Sequence, residues 1–228
     1  MIQGGKNARS LHDPDNSGNP RSEFGFLLVT LSLFLALSFL ARTVYPLFGL
    51  VVVLGIVSPI LWGVYSRSLP RLGFTGANLS KALLWGAAAG VAAGLLGLAA
   101  LDETHLPPNM TQQLIIGVPL WLLVISPFQE FFFRGLMQSY LSQIGGDWLG
   151  LLAANVAFTA WHYLSPLFDV ATFPLASVLG SAATFLAGLI YGYSFMRSRS
   201  LVSPWLAHSV SGIIFILAGA MDLGFFLS

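Results

Sequence analysis

The sequence predicts an all-α bundle that crosses a membrane about seven times, with its N-terminus in the cytoplasm. Of the 228 residues, 56% are hydrophobic and 8% are charged, which is too few charges for an ordinary soluble domain. Most of the charged residues lie near the N-terminus or in short gaps between long apolar runs. Such runs must be helical in lipid, because the backbone groups find no other hydrogen-bond partner there.

The chain begins with a polar segment, and apolar runs follow it. Residues 1–22 are rich in Gly, Pro, Asn and Ser, so we expect a disordered tail. Residues 23–228 are expected to form a single membrane domain. Its predicted spans are residues 24–41, 44–65, 82–101, a fourth from 113, 148–163, 173–196 and 204–226. Residues 66–81 mix basic and apolar side chains, which is typical of a segment at the membrane interface.

The basic residues set the predicted orientation. With a cytoplasmic N-terminus, Arg42 is the one basic residue on the outer side, and the remaining basic residues outside the spans fall inside. Those inner residues are Lys6, Arg9, Arg21, Arg67, Arg71, Lys81, Arg197 and Arg199.

Glycines and prolines mark two of the spans. Gly86, Gly90 and Gly94 recur at a spacing of four in the third span, which predicts close packing against another helix. Pro119 and Pro127 lie in the fourth span, and each removes a backbone donor. We therefore expect the fourth span to bend near its polar groups.

A carboxylate and a guanidinium interrupt the fourth span. Glu130 and Arg134 are four residues apart, so they can pair along one face of a helix. Charges at bilayer depth are costly, and they are retained either as a packed ion pair or in a functional cavity. This pair alone is consistent with both interpretations.

Two histidines can complete a site around this pair. His162 closes the fifth predicted span, and His208 lies one turn into the seventh. A lone histidine in an apolar span is more often a packing residue, but Glu130 and two histidines from three spans could together activate a water molecule. The same three side chains could instead bind zinc, which would use the evident base as a ligand. We expect no cofactor, with zinc as the alternative.

Other chemistries find less support in the sequence. Cysteine is absent, which excludes a cysteine nucleophile and thiolate metal sites, and a net charge of +1 does not favour nucleic-acid binding. A transporter would place paired Gly/Pro-interrupted segments in two corresponding halves, and no such pair is present.

The order of the motifs resembles the CPBP (Abi) family of intramembrane proteases. That family includes endopeptidases that trim prenylated CaaX proteins and bacterial relatives tied to bacteriocin processing and immunity. The resemblance covers residues 119–212, through the segments 129–135, 158–162, 185–188 and 208–212. It implies a catalytic half at about residues 113–226 that cleaves membrane-associated peptides or proteins. The short chain suits a prokaryotic cytoplasmic membrane.

Two positions depart from the family pattern. The first motif usually has two adjacent glutamates, the first of which is assigned as the base, and here that position is Gln129. The last motif usually has Asn or Asp four residues after its histidine, where this chain has Gly212. Three explanations stay open: Glu130 is the base in this branch, the chain is a non-catalytic relative that acts in binding, immunity or scaffolding, or Gln129 is an engineered substitution.

We favour an active protease with Glu130 as general base, His162 orienting the water and His208 stabilising the oxyanion. Gln129, Arg134, Phe158 and Gly212 are the expected supporting residues. Replacement of any of the three catalytic residues by alanine is expected to abolish cleavage and to leave folding largely intact.

Counting from the ends of the predicted spans separates Glu130 and His162 in depth by about 15 Å. The fifth span is therefore expected to begin in the cytoplasm, and the fourth to enter the membrane late.

Overall fold

The computed structural model describes residues 20–99, 109–166 and 176–219. Helix α1 is Pro20–Leu40, α2 is Leu47–Tyr65 and α3 is Leu79–Leu98. The helical stretch Met110–Leu164 is interrupted at Gly145 and Gly146, so residues 110–144 form α4 and residues 147–164 form α5. Helix α6 is Ala176–Ser198, and α7 is Val202–Leu217.

The described residues form helices joined by turns, without strands. Four helical stretches are long and apolar enough to cross a membrane, namely residues 22–40, 47–65, 79–98 and 110–164, and α7 is a shorter apolar helix. Large apolar side chains such as Leu84, Ile115 and Leu123 are mostly exposed on their outer surfaces, as expected for helices in lipid. The prediction of an all-helical integral membrane protein is therefore confirmed. Residues 1–19 of the predicted tail lie outside the described residues.

Glycines bring α3 against α7, as their spacing predicts. A Cβ atom on Gly86 would lie 2.8 Å from the Ser203 carbonyl oxygen, and one on Gly90 would lie 2.6 Å from the Val210 Cβ. Neither position has room for a side chain, so the two backbones approach closely. This contact fixes α7, which carries His208.

Replacement of Gly90 by alanine is expected to destabilise the protein by about 1–3 kcal/mol, because the new methyl group collides with α7. The measurement is thermal unfolding in detergent. Gly49→Ala is the matched control, since a Cβ atom at that helical position meets nothing within 4 Å. Equal melting temperatures for the two variants would contradict the packing described here.

The two prolines of α4 are accommodated by widened helical turns. A proline ring clashes with the carbonyl four residues earlier, which is at Ile115 for Pro119 and at Leu123 for Pro127. Each of these two residues lies in a π-helical segment, Gln113–Gly117 and Trp121–Ile125 respectively. The lost hydrogen bonds are thus absorbed by a change of hydrogen-bond register within a continuous helix.

The chain reverses direction between α4 and α5. Gly146 has φ of 84°, a conformation that glycine adopts without strain, and neighbouring Gly145 is also non-helical. Glu130 and His162 lie nearly the same number of residues from this reversal, one before it and one after it. Because α4 and α5 are antiparallel, the equal stretches on either side of the reversal bring these residues to the same depth, so the offset calculated from the predicted span ends does not arise.

Candidate active site

An aromatic cluster holds the central motif in place. Phe132 and Phe133 are fully buried, and the Phe132 ring stacks on Phe34 of α1 at 4.1 Å. Phe133 packs edge-on against Phe158 of α5 at 5.4 Å. Because these rings fix the rotation of α4, its polar side chains face α6 and α7.

Glu130 and Arg134 form a buried ion pair, as the sequence predicts. The Arg134 Nε atom lies 3.3 Å from Glu130 Oε2, and Nη1 donates to Oε1 at the same distance. The two side chains are 0% and 1% exposed. Each of the two buried groups thus has a partner of opposite charge in contact with it.

Arg134 is also anchored to α5 and α6. Its Nη2 atom donates to the Gly188 carbonyl at 2.8 Å, and its guanidinium lies 4.2 Å from the centre of the Phe158 ring. A Cβ atom on Gly188 would lie 2.0 Å from Asn155 Oδ1 and 3.1 Å from Arg134 Nη2. The glycine of the 185–188 motif therefore leaves the space in which the guanidinium reaches the backbone of α6.

Two further side chains bind the backbone of α6 in the same manner. Asn155 donates from Nδ2 to the Phe185 carbonyl at 2.9 Å, and Gln138 donates from Nε2 to the Gly192 carbonyl at 3.0 Å. Three carbonyls along one face of α6 thus receive side-chain donors from α4 and α5. These bonds fix where α6 lies against the ion pair.

His208 completes a three-residue cluster. Its Nδ1 atom lies 2.7 Å from Glu130 Oε1, and its ring is almost completely buried. The carboxylate accepts this hydrogen bond, so neutral His208 has its proton on Nδ1 and a lone pair on Nε2. The structure therefore brings together Glu130, Arg134 and His208 from two separate helices.

His162 lies beside this cluster on α5. Its ring is 4.4 Å from that of Phe158, which in turn is 6.1 Å from the His208 ring. The Nδ1 atom hydrogen-bonds to the Phe158 carbonyl at 2.7 Å, which places the lone pair of the neutral ring on Nε2. His162 is partly exposed, whereas Glu130 is fully buried.

Two buried acceptors in the motif have no hydrogen-bond donor in the described structure. They are Glu130 Oε2, which has only the ion-pair contact to Arg134, and Gln129 Oε1. Gln129 is 1% exposed. A buried acceptor without a donor costs free energy, so both atoms can accept a hydrogen bond from a water molecule or a substrate.

Sequence reasoning missed two aromatic residues that contact His208. Tyr191 stacks on the imidazole at 5.0 Å with 18° between the rings, and Trp121 meets its edge at 5.4 Å. The burial of Trp121 could have been predicted from its position, because it lies four residues after Gly117 and four before Ile125, which are both buried. Tyr191 follows Gly188 by one helical turn, which is a weaker signal.

The three residues named as alternative zinc ligands are not arranged as in a metal centre. Among the described residues, no group of three or more His, Cys, Asp or Glu side chains is arranged to hold a metal ion. Glu130 Oε1 meets His208 Nδ1 directly, and His162 Nδ1 faces a backbone carbonyl. A zinc site would need these ligand atoms to converge on one point at about 2 Å.

The fold and this cluster define an integral membrane protein with a buried site of ionisable residues between its helices. Residues 111–214, which contain all of the site residues above, match the model of the family described as type II CAAX prenyl endopeptidase Rce1-like. This match supports the assignment to the CPBP/CAAX protease family that the motifs predict. Comparisons with curated proteins and with solved structures gave no match.

Proposed function

We propose that this protein is an intramembrane endopeptidase that cleaves membrane-associated peptides or proteins, of the CaaX type or as leader or sorting signals. The observation that carries the proposal is the short hydrogen bond between His208 Nδ1 and the buried Glu130 carboxylate, within the region that matches the protease family. A carboxylate and an imidazole in contact are the usual groups for moving a proton to and from water.

Glu130 acts as the general base through Oε2, the oxygen without a hydrogen-bond donor. It takes a proton from water, and the oxygen of that water forms a bond to the carbonyl carbon of the scissile peptide. The proton then passes to the leaving amine as the C–N bond breaks. Arg134 holds the carboxylate in place through its Nε and Nη1 atoms.

His162 binds the water, and His208 stabilises the oxyanion. His162 accepts a hydrogen bond from the water at Nε2, since its Nδ1 atom is used by the Phe158 carbonyl. Donation from His208 Nε2 to the oxyanion requires the doubly protonated ring, and in that form Nδ1 still donates to Glu130 Oε1, which lies 2.7 Å away. No metal or other cofactor takes part in these steps.

The proposed topology has seven crossings with the N-terminus in the cytoplasm of a prokaryote. Two ion pairs support it, because each joins two segments that this topology puts on the inner side. Glu23 pairs with Arg71, and Asp147 pairs with Arg199. Arg42, at the predicted outer side, donates to a backbone carbonyl at the end of α5. Substrate would reach the buried carboxylate from the side of the partly exposed His162.

A non-catalytic relative is the second candidate, and two observations favour it. Gln129 cannot accept the proton that the family's first glutamate accepts, and an indole ring occupies the space beside Gly212. In that case Glu130 is a structural partner of Arg134 and His208. The protein would then act by binding, in immunity or as a scaffold.

Cleavage of a quenched fluorescent peptide library tests the proposal, with prenylated C-termini included. The purified protein in detergent is compared with Glu130→Gln and Gln129→Glu. We expect activity in the parent protein that falls by about 10²-fold or more in Glu130→Gln. Activity confined to Gln129→Glu would identify a disabled protease, whether by natural or engineered substitution.

A further inference from the structure

Trp121 joins α4 to the backbone of α7 at the histidine of the site. Its indole Nε1 atom donates to the His208 carbonyl at 3.1 Å, and Trp121 is largely buried. The ring meets the imidazole edge-on with 5.4 Å between the ring centroids. One side chain thus contacts both the main chain and the side chain of His208.

Gly212 provides the space for this indole. It lies one turn after His208 on the same helix, and a Cβ atom there would lie 1.8 Å from Trp121 Nε1 and 2.1 Å from Cε2. Real atoms do not approach so closely, so any side chain at position 212 would displace the indole. Trp121 and Gly212 therefore depend on each other.

A second set of contacts holds His208 from the other side. Ser211 Oγ donates to the His208 carbonyl at 3.0 Å, and Tyr191 OH is hydrogen-bonded to Ser211 Oγ. The Tyr191 ring stacks on the imidazole. With one ring against the face and another against the edge, the imidazole cannot rotate without displacing an aromatic side chain.

We propose that Trp121 is a positioning residue that keeps Nδ1 of His208 directed at Glu130, and that Gly212 is required to admit it. A tilt of the imidazole out of its present plane, or a shift of the main chain that carries it, would move Nδ1 away from the carboxylate. The hydrogen bond to the carbonyl opposes the shift of the main chain, and the edge contact opposes the tilt of the ring. This inference rests on the proposed function for its effect on cleavage, but not for its effect on His208.

The test compares Trp121→Phe with a matched control, Trp205→Phe. Trp205 also ties α7 to α4 through its indole, by a bond of 2.7 Å to the Leu122 carbonyl, but it has no ring contact with His208. Both variants lose one indole hydrogen bond between the same helices. Only Trp121→Phe also changes a ring that contacts His208.

Two measurements are made on each variant. The first is kcat and KM for cleavage, and the second is the tautomer of His208 from ¹⁵N NMR of histidine-labelled protein, assigned with His208→Asn. We expect Trp121→Phe to lower kcat by about tenfold or more and to change KM by less than about twofold. The fraction of His208 protonated at Nδ1 should fall in Trp121→Phe and stay unchanged in Trp205→Phe.

A double substitution tests the role of Gly212. Gly212→Ala should lower kcat and alter the tautomer in the parent protein, and both effects should be smaller when Trp121 is already phenylalanine, which lacks the Nε1 edge. Equal effects in the two backgrounds would contradict the dependence of Trp121 on Gly212. If Gly212→Ala does not fold, the comparison of the two tryptophan variants decides.

The NMR readout separates this inference from the proposed function. A parent protein without cleavage, in which Trp121→Phe still changes the His208 tautomer, would refute the protease proposal and support the positioning role. Identical tautomers and identical kcat in Trp121→Phe and Trp205→Phe would overturn the positioning role, whatever the parent protein cleaves.

Discussion

Replacement of Arg134 by methionine is expected to destabilise the protein by about 3–5 kcal/mol. Glu130 would remain buried without its cation, and the Gly188 carbonyl would lose its donor. The guanidinium also packs on the Phe158 ring, and methionine replaces only part of that contact. Thermal unfolding and size-exclusion chromatography in detergent measure the effect.

The exposed ion pair between Arg199 and Asp147 provides the control. Its two side chains are 63% and 38% exposed, so Arg199→Met should change the stability by about 0–1 kcal/mol. The double variant Glu130→Gln/Arg134→Met should be more stable than Arg134→Met, because it leaves no buried charge. If Arg134→Met unfolds at the same temperature as Arg199→Met, the buried pair does not stabilise the bundle.

Replacement of His208 by asparagine is expected to lower kcat by about 10²–10⁴-fold while the protein stays folded. The Asn amide nitrogen occupies nearly the position of Nδ1, so it can still donate to Glu130 Oε1. It offers nothing at the position of Nε2, the atom assigned to the oxyanion. Steady-state cleavage together with thermal unfolding distinguishes the two effects.

His208→Gln is the complementary variant, because its amide nitrogen lies nearer to the position of Nε2. It should lose the bond to Glu130 and should be less stable than His208→Asn. Full cleavage by His208→Asn would exclude Nε2 from the reaction. Greater stability of the glutamine variant would contradict the hydrogen bond to Glu130.

The contacts of Glu130 change one expectation from the sequence. Alanine at this position was expected to leave folding largely intact, but the carboxylate is the partner of both Arg134 and His208. Its removal would leave a buried cation unpaired, which costs several kcal/mol. Glutamine, which has the same shape, is therefore the better replacement for testing catalysis.

Much of the fold could be predicted because its causes are local in the sequence. Long apolar runs determine the helices, and small residues at a spacing of four place Gly90 against α7. The pairing of Glu130 with Arg134 follows from helix geometry alone. Each prediction requires only the period of a helix and the cost of a polar group in lipid.

The remainder of the site depends on contacts between distant parts of the chain. The sequence does not indicate that Trp121 fills the space beside Gly212, because the two are far apart in the chain and neither is unusual in an apolar helix. The depth of His162 in the membrane depends on the residue at which the chain reverses direction, which is Gly146. An error of a few residues in a span end moves a side chain by several ångströms.

Hydrogen bonds to the main chain of α6 have a consequence for how this helix can vary. Asn155, Arg134 and Gln138 all bind its carbonyl oxygens rather than its side chains. Most residues can therefore be exchanged on α6 without loss of these bonds, provided that Gly188 and Gly192 keep their clearance. A shift of one residue along the helix turns its surface by about 100° and would break all three bonds together. These three bonds thus tolerate substitution in α6, but they do not tolerate insertion or deletion.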